Sequence, residues 1–299
     1  MAMILTDSSH YANIAEAIRE KTGATDTYKP AEMPDAIAAI AGAGEDTLAL
    51  ACSGRITEYS NDTLTTFTYP VFYGNTELNK INLPKVTSIP NYAFYGCTWL
   101  FDPIDFPIVK TIGDRAFQDC VYINNINFPE VETIGAYAFY RCSQLNSIDF
   151  PIVKTIGDRA FYECSGVTSI NLPLVTSTGT YSFTRNSFSK VILPSATDIG
   201  QATFYNCSSL TFVDLPVATA IPSNTFFSCA NLATLILRSN TMVTLDNTNA
   251  FTSTPIANNS SSGFIYVPSA LVDTYKADSK WSTYKYKFRA IEDYPDICG

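Results

Sequence analysis

IDFPIVKTIGDRAF stands at residues 104–117 and again, without one change, at 148–161, 44 residues later. Outward from that pair, prolines fall at Pro84, Pro107, Pro129, Pro151, Pro173, Pro194 and Pro216, spaced by 23, 22, 22, 22, 21 and 22 residues. The unit is therefore about 22 residues long, and the copied stretch marks a duplicated pair of units. Ten residues after each proline comes a phenylalanine: Phe94, Phe117, Phe139, Phe161, Phe183, Phe204 and Phe226. Three residues further stand Cys97, Cys120, Cys142, Cys164, Asn186, Cys207 and Cys229.

Each unit carries its own local logic. The residues one and three before the proline are apolar, as in Ile104 and Phe106 or Ile148 and Phe150, and their neighbours are mostly polar. Alternation at period two predicts a short strand with one buried face. Proline then ends the strand, because it has no N–H for a ladder. A V-x-x-I stretch follows, then Gly or Pro, then a short Ala-Phe turn, for which a helical form is left open. No unit can bury its own apolar face, so neighbours must stack. The expectation is a repeat solenoid of about eight coils, mainly β with short turns or helices, its parallel strands ~4.8 Å apart.

The pattern L-x-x-I-x-L-P-x-V-x-x-I-G-x-x-A-F-x-x-C over residues 63–240 resembles the BspA-like leucine-rich repeats of bacterial surface proteins. That resemblance implies a leucine-rich-repeat solenoid used for adhesion or recognition. The segment GFIYVPSALVDTYKADSKWSTYKYKFRAI (263–291) is similar to the element that closes many such stacks, with Trp281 and Tyr284 covering the last coil. The expected organisation is a helical attachment module at 1–43, an N-terminal cap and irregular first coil at 45–77, the solenoid at 78–240 and a C-terminal capping segment at 241–299.

In the attachment module, Tyr11, Ile14, Ala15 and Ile18 recur at helical spacing before Gly23, and Pro34 opens a second short helix through Ile40. Ala41-Gly42-Ala43-Gly44 reads as a linker. The string YANIAEAIREKTGATDTYKPAEMPDAIAAI (11–40) resembles a module of tail-region proteins of phages that infect gut bacteria. It implies docking on an assembly partner or self-association, at a virion or a bacterial cell surface.

Net charge is −9 and the sequence pI about 4.6, which argues against nucleic acid as a partner. No stretch approaches the ~20 apolar residues of a membrane span. Met1 to Ile18 lacks the features of a secretory signal. The one histidine, His10, has no partner motif, and there is no phosphate-cradling loop or metal motif, so no catalytic residue, metal or cofactor is expected. Asp105 and Asp149 are a repeated polar position rather than an acid–base pair.

The cysteines form a column. A linear column cannot give zinc its converging ligands, and parallel Cβ vectors disfavour the disulfide dihedral. Cys and Asn share small size and a donor group, so the expectation is a buried, reduced ladder that bonds turn backbone. Tyr95, Tyr140, Tyr162 and Tyr205, followed by Phe227, are expected to cover the junctions between coils.

The candidate recognition residues stand two before each proline: Asn82, Asp105, Asn127, Asp149, Asn171 and Asp214, with Ile192 interrupting the column. Strand alternation turns this position outward. Short polar side chains ~4.8 Å apart can hydrogen-bond the hydroxyls of a surface glycan or the polar groups of a protein. The expected function is therefore non-enzymatic recognition, as a phage tail-associated host-recognition component. The alternatives are a cellular surface adhesin and a passive spacer.

Overall fold

The computed structural model describes residues 56–67, 70–101, 103–258 and 262–298. The expected helical module at 1–43 lies outside them. They wind into a parallel-strand solenoid of about ten turns, more than the eight expected. The additional turns lie at the two ends. Glu58–Ser60, inside the segment expected to be a cap and irregular first coil, pairs in parallel with Lys80–Asn82. At the far end Phe264–Val267 and Phe288–Ala290 continue the same sheet.

Three hydrogen-bonded walls enclose the core. The main wall holds the strands that precede each proline. It pairs Ile104–Asp105 with Ile126–Asn127 and Ser147–Asp149 with Ser169–Asn171. Lys190–Ile192, Phe212–Asp214, Thr234–Ile236, Phe264–Val267 and Phe288–Ala290 then form one five-stranded run. The second wall comes from the V-x-x-I stretch. Ser88–Ile89, Thr111–Ile112, Thr133–Ile134, Thr155–Ile156 and Ser177–Thr178 form a continuous parallel sheet. In the Thr-Ile strands the isoleucine points inward and the threonine outward, as period two requires, and in Ser177–Thr178 the threonine takes the inward place.

The third wall comes from the Ala-Phe turns. The Ala-Phe segment is not helical but a pair of tight turns, with left-handed residues on either side of the phenylalanine: Arg115 (φ 56°) and Asp119 (φ 59°), Tyr137 (57°) and Arg141 (60°). Such conformations cost a non-glycine residue of order 1 kcal/mol each and persist only when neighbours fix them. Here the next coil fixes them. The N–H groups of Arg115, Phe117 and Asp119 donate to the carbonyls of Ala136, Ala138 and Tyr140 at 2.7–2.8 Å, and the register repeats one coil on. A helix would have spent those N–H groups internally.

Inside, the repeat phenylalanines stack ring on ring from Phe72 to Phe251, with centroids 5.0–5.7 Å apart. Burying each ring contributes roughly 1.5–3 kcal/mol. The last ring is closed by Trp281 at 5.9 Å and Tyr284 at 5.2 Å, both buried. Trp281 and Tyr275 also satisfy the open coil end: the Trp281 indole donates to the Val243 carbonyl, and the Val243 N–H donates to the Tyr275 hydroxyl, each at 2.8 Å. The short helix Val272–Ala277 carries Tyr275 into place.

Candidate recognition surface

On the main wall the residues two before each proline face outward through the first five coils. Asn82, Asp105, Asn127, Asp149 and Asn171 are all exposed. They bond along the column: Asn82 Nδ2 donates to Ser60 Oγ at 3.0 Å, Asn127 Nδ2 to Asp105 Oδ1 at 2.9 Å and Asn171 Nδ2 to Asp149 Oδ1 at 2.9 Å. Each Asp–Asn bond joins strands that are also backbone partners. The wall opens beyond Asn171. Ser169–Asn171 and Lys190–Ile192 are not ladder partners. A groove of about 450 Å³ lies there, lined by Thr168, Asn171, Lys190 and Ile192 among others.

Asp214 departs from this column. It is 6% exposed, and both its carboxylate oxygens accept from Arg238, Nε at 3.0 and 3.2 Å and Nη2 at 2.8 Å. An arginine from the next coil folds back over it, so Asp214 is a covered ion pair rather than an open recognition residue. Strand alternation assigned Asp214 to the outward column and could not foresee that lid.

The cysteines lie inside the third wall. Cys97, Cys120, Cys142, Cys164, Cys207 and Cys229 are free and buried. Each Sγ donates to the carbonyl of the preceding coil's phenylalanine, at 2.9–3.1 Å. Asn186 makes the same bond through Nδ2, to Phe161 at 2.8 Å. Burial pushes the Cys207 thiol up to about 12 and holds the other five well above the ordinary thiol range. These are protonated donors rather than nucleophiles. Among the described residues no group of His, Cys, Asp and Glu is placed to hold a metal ion.

The outer surface of the third wall carries three columns. Tyr73 stacks on Tyr95 at 4.7 Å, Tyr140 on Tyr162 at 5.0 Å and Tyr205 on Phe227 at 5.1 Å. Beside them, rings and guanidinium groups alternate: Arg115 lies over Tyr92 and Tyr137, and Arg159 over Tyr137 and Tyr181. The third column alternates in charge, with Arg141 between Asp119 and Glu163, and Arg185 beyond Glu163. The sequence offered a signal for the second column, since the duplicated unit repeats Arg115 as Arg159 in register with tyrosines.

The walls and their columns define a class: a parallel-strand solenoid of the leucine-rich-repeat type, presenting long polar and aromatic columns to solvent. Six copies of a family model described as BspA type leucine rich repeat region match residues 65–173 and 132–257. The chain belongs to that family. The model is that of a repeat and indicates no catalytic activity. No curated protein matches the chain. Among solved structures it is similar to a leucine rich cell surface protein from Faecalibacterium prausnitzii A2-165, at 21% identity and a TM-score of 0.47, over 71% of this chain and 64% of that one. The chain thus spans just under two thirds of that protein's length. It is also similar to a leucine rich repeat protein of T. pallidum (27% identity, TM-score 0.48, 51% of this chain and 76% of that one). A third is a leucine-rich repeat protein from Bacteroides ovatus (17%, TM-score 0.31, 78% and 91%). No helix among the described residues is long and apolar enough to cross a membrane.

Proposed function

We propose that the chain is a non-enzymatic recognition protein that engages a surface glycan or protein through the main wall. The observation that carries this reading is the exposed column Asn82, Asp105, Asn127, Asp149 and Asn171, in which Asn127 bonds Asp105, Asn171 bonds Asp149 and Asn82 bonds Ser60 of the preceding coil. A row of amides and carboxylates at one-coil intervals suits a partner with regularly spaced hydroxyl or amide groups. The carboxylates disfavour an anionic one. The F. prausnitzii protein described as a cell surface protein supports a surface setting. The phage tail-associated form of this reading rests on the resemblance of residues 11–40, with residues 1–43 as the attachment module and an assembly partner or a second copy as its dock.

The test replaces Asp105, Asn127 and Asp149 with Ala together. At exposed positions each change shifts stability by roughly 0.5 kcal/mol or less. Binding of the protein to host cells or to arrayed neutral glycans should fall sharply while the melting curve barely moves. Retained binding places the recognition surface elsewhere, and absent binding in the parent chain as well would favour the spacer.

A further inference from the structure

Trp99 is 53% exposed, Phe101 48% and Tyr122 42%, three large rings gathered on one part of the stack. Clustered apolar exposure of this kind marks contact surfaces. The cluster sits where the repeat is one residue longer, in the 23-residue interval from Pro84 to Pro107. Ile104 follows Leu100 by four positions, against three from Ile123 to Ile126 and from Leu145 to Ile148.

Trp99 stacks on Tyr122 of the following coil, with centroids 4.7 Å apart and planes at 20°. One indole face is therefore covered, and the other looks toward the preceding coil. The residue in register there is Glu77. Two contacts bracket it: Cys97 Sγ donates to the Phe72 carbonyl at 2.9 Å, and the Phe101 N–H donates to the Asn79 carbonyl at 3.3 Å. Glu77 is exposed.

Elsewhere in this protein the slot beside such a ring is filled by a cation. The Arg115 guanidinium lies 4.4 Å from the Tyr137 ring and 5.7 Å from Tyr92, and Arg159 lies 5.1 Å from Tyr181 and 5.4 Å from Tyr137. Among the described residues no cation of the chain is found over Trp99 or Tyr122. Trp offers the strongest cation–π face of the three aromatic residues, and a carboxylate on the other side completes a cation's surroundings. The chain as a whole carries a net charge of −9, which draws basic segments toward it.

We propose that Trp99, Tyr122 and Glu77 form a docking point for a basic segment of a protein partner, a lysine or arginine side chain seating between the open indole face and the Glu77 carboxylate. This point lies apart from the Asn and Asp column, so the two readings fail separately.

The test titrates the full chain, by calorimetry, with a short synthetic peptide of alternating lysine and glycine. Its lysine-acetylated copy serves as the comparator. Tryptophan emission gives a second readout, because the chain has two tryptophans and Trp281 is buried. The basic peptide should bind, perturb the emission of the exposed indole and lose affinity with added salt, whereas the acetylated copy should not bind. Trp99→Leu, which keeps apolar area but removes the π face, and Glu77→Gln should each weaken binding about two- to fivefold. The charge-neutral double variant Asn127→Ala, Asn171→Ala should bind the peptide as the parent does. The proposal is overturned if the basic peptide does not bind, or if the acetylated peptide binds as tightly. Binding unchanged in both Trp99→Leu and Glu77→Gln overturns it too, since general attraction to an acidic chain would then account for everything.

Discussion

The coils from Ile104 to Asn171 and those from Lys190 to Ile236 follow the same 22-residue plan, yet their walls differ. In the first set the main-wall strands are hydrogen-bonded in twos, with exposed Asp–Asn bonds across each pair. In the second they belong to one continuous run, Ile192 interrupts the polar column and Arg238 covers Asp214. The cores differ as well. Phe106, Phe128 and Phe150 add a second file of rings to the first set, where leucines (Leu193, Leu215, Leu237) stand in the other. The repeat phenylalanines stack 5.1–5.2 Å apart around Phe139 and 5.7 Å apart around Phe204. The shared plan fixes the scaffold, while a few side chains per coil decide what the surface offers.

The sharpest way to probe that difference is to empty the core on either side. Phe139→Ala and Phe204→Ala should each cost about 3–5 kcal/mol in chemical denaturation, with Phe139→Ala the costlier because more rings lose a partner. Equal costs would show that the second file of rings adds nothing. Next in size is Arg238→Ala, which strips the buried Asp214 carboxylate of its partner and should cost about 2 kcal/mol. Adding Asp214→Asn should recover part of that loss, and no recovery would mean that Arg238 acts through packing alone. Cys142→Leu overfills a buried site and should cost about 1–3 kcal/mol, whereas Cys142→Ser keeps a donor for the Phe117 carbonyl and should cost less. Smallest is Lys154→Ala. Its pairing with Glu132 at 3.4 Å is exposed, and the melting curve should shift by about a degree or less.

Periodicity alone revealed the solenoid, because an apolar side chain recurring every 22 residues has one way to be buried. It also gave the strand before each proline and the outward direction of Asn82 and Asp105. It did not give the second wall, whose two-residue strands are too short to show alternation. It placed a turn at Ala-Phe but left its form open, since the stabilising bonds of Arg115 and Asp119 run to the next coil and leave no trace in local propensity. Nor did it find Trp99 or the lid over Asp214. The first is signalled only by a spacing of 23 instead of 22, and the second depends on how far Arg238 reaches.

The duplicated stretch bears on how long this molecule can be. Excising residues 118–161 would join Phe117 to Tyr162 and leave every coil with a sequence it already has. Asp105 would then meet Asn171 as Asp149 does now. The same operation in reverse would add two coils, roughly 10 Å of length at ~4.8 Å per coil, with another Asp–Asn pair. Reach is thus adjustable in two-coil steps that keep the main-wall strand pairing, while the turns beyond Phe117 meet new neighbours.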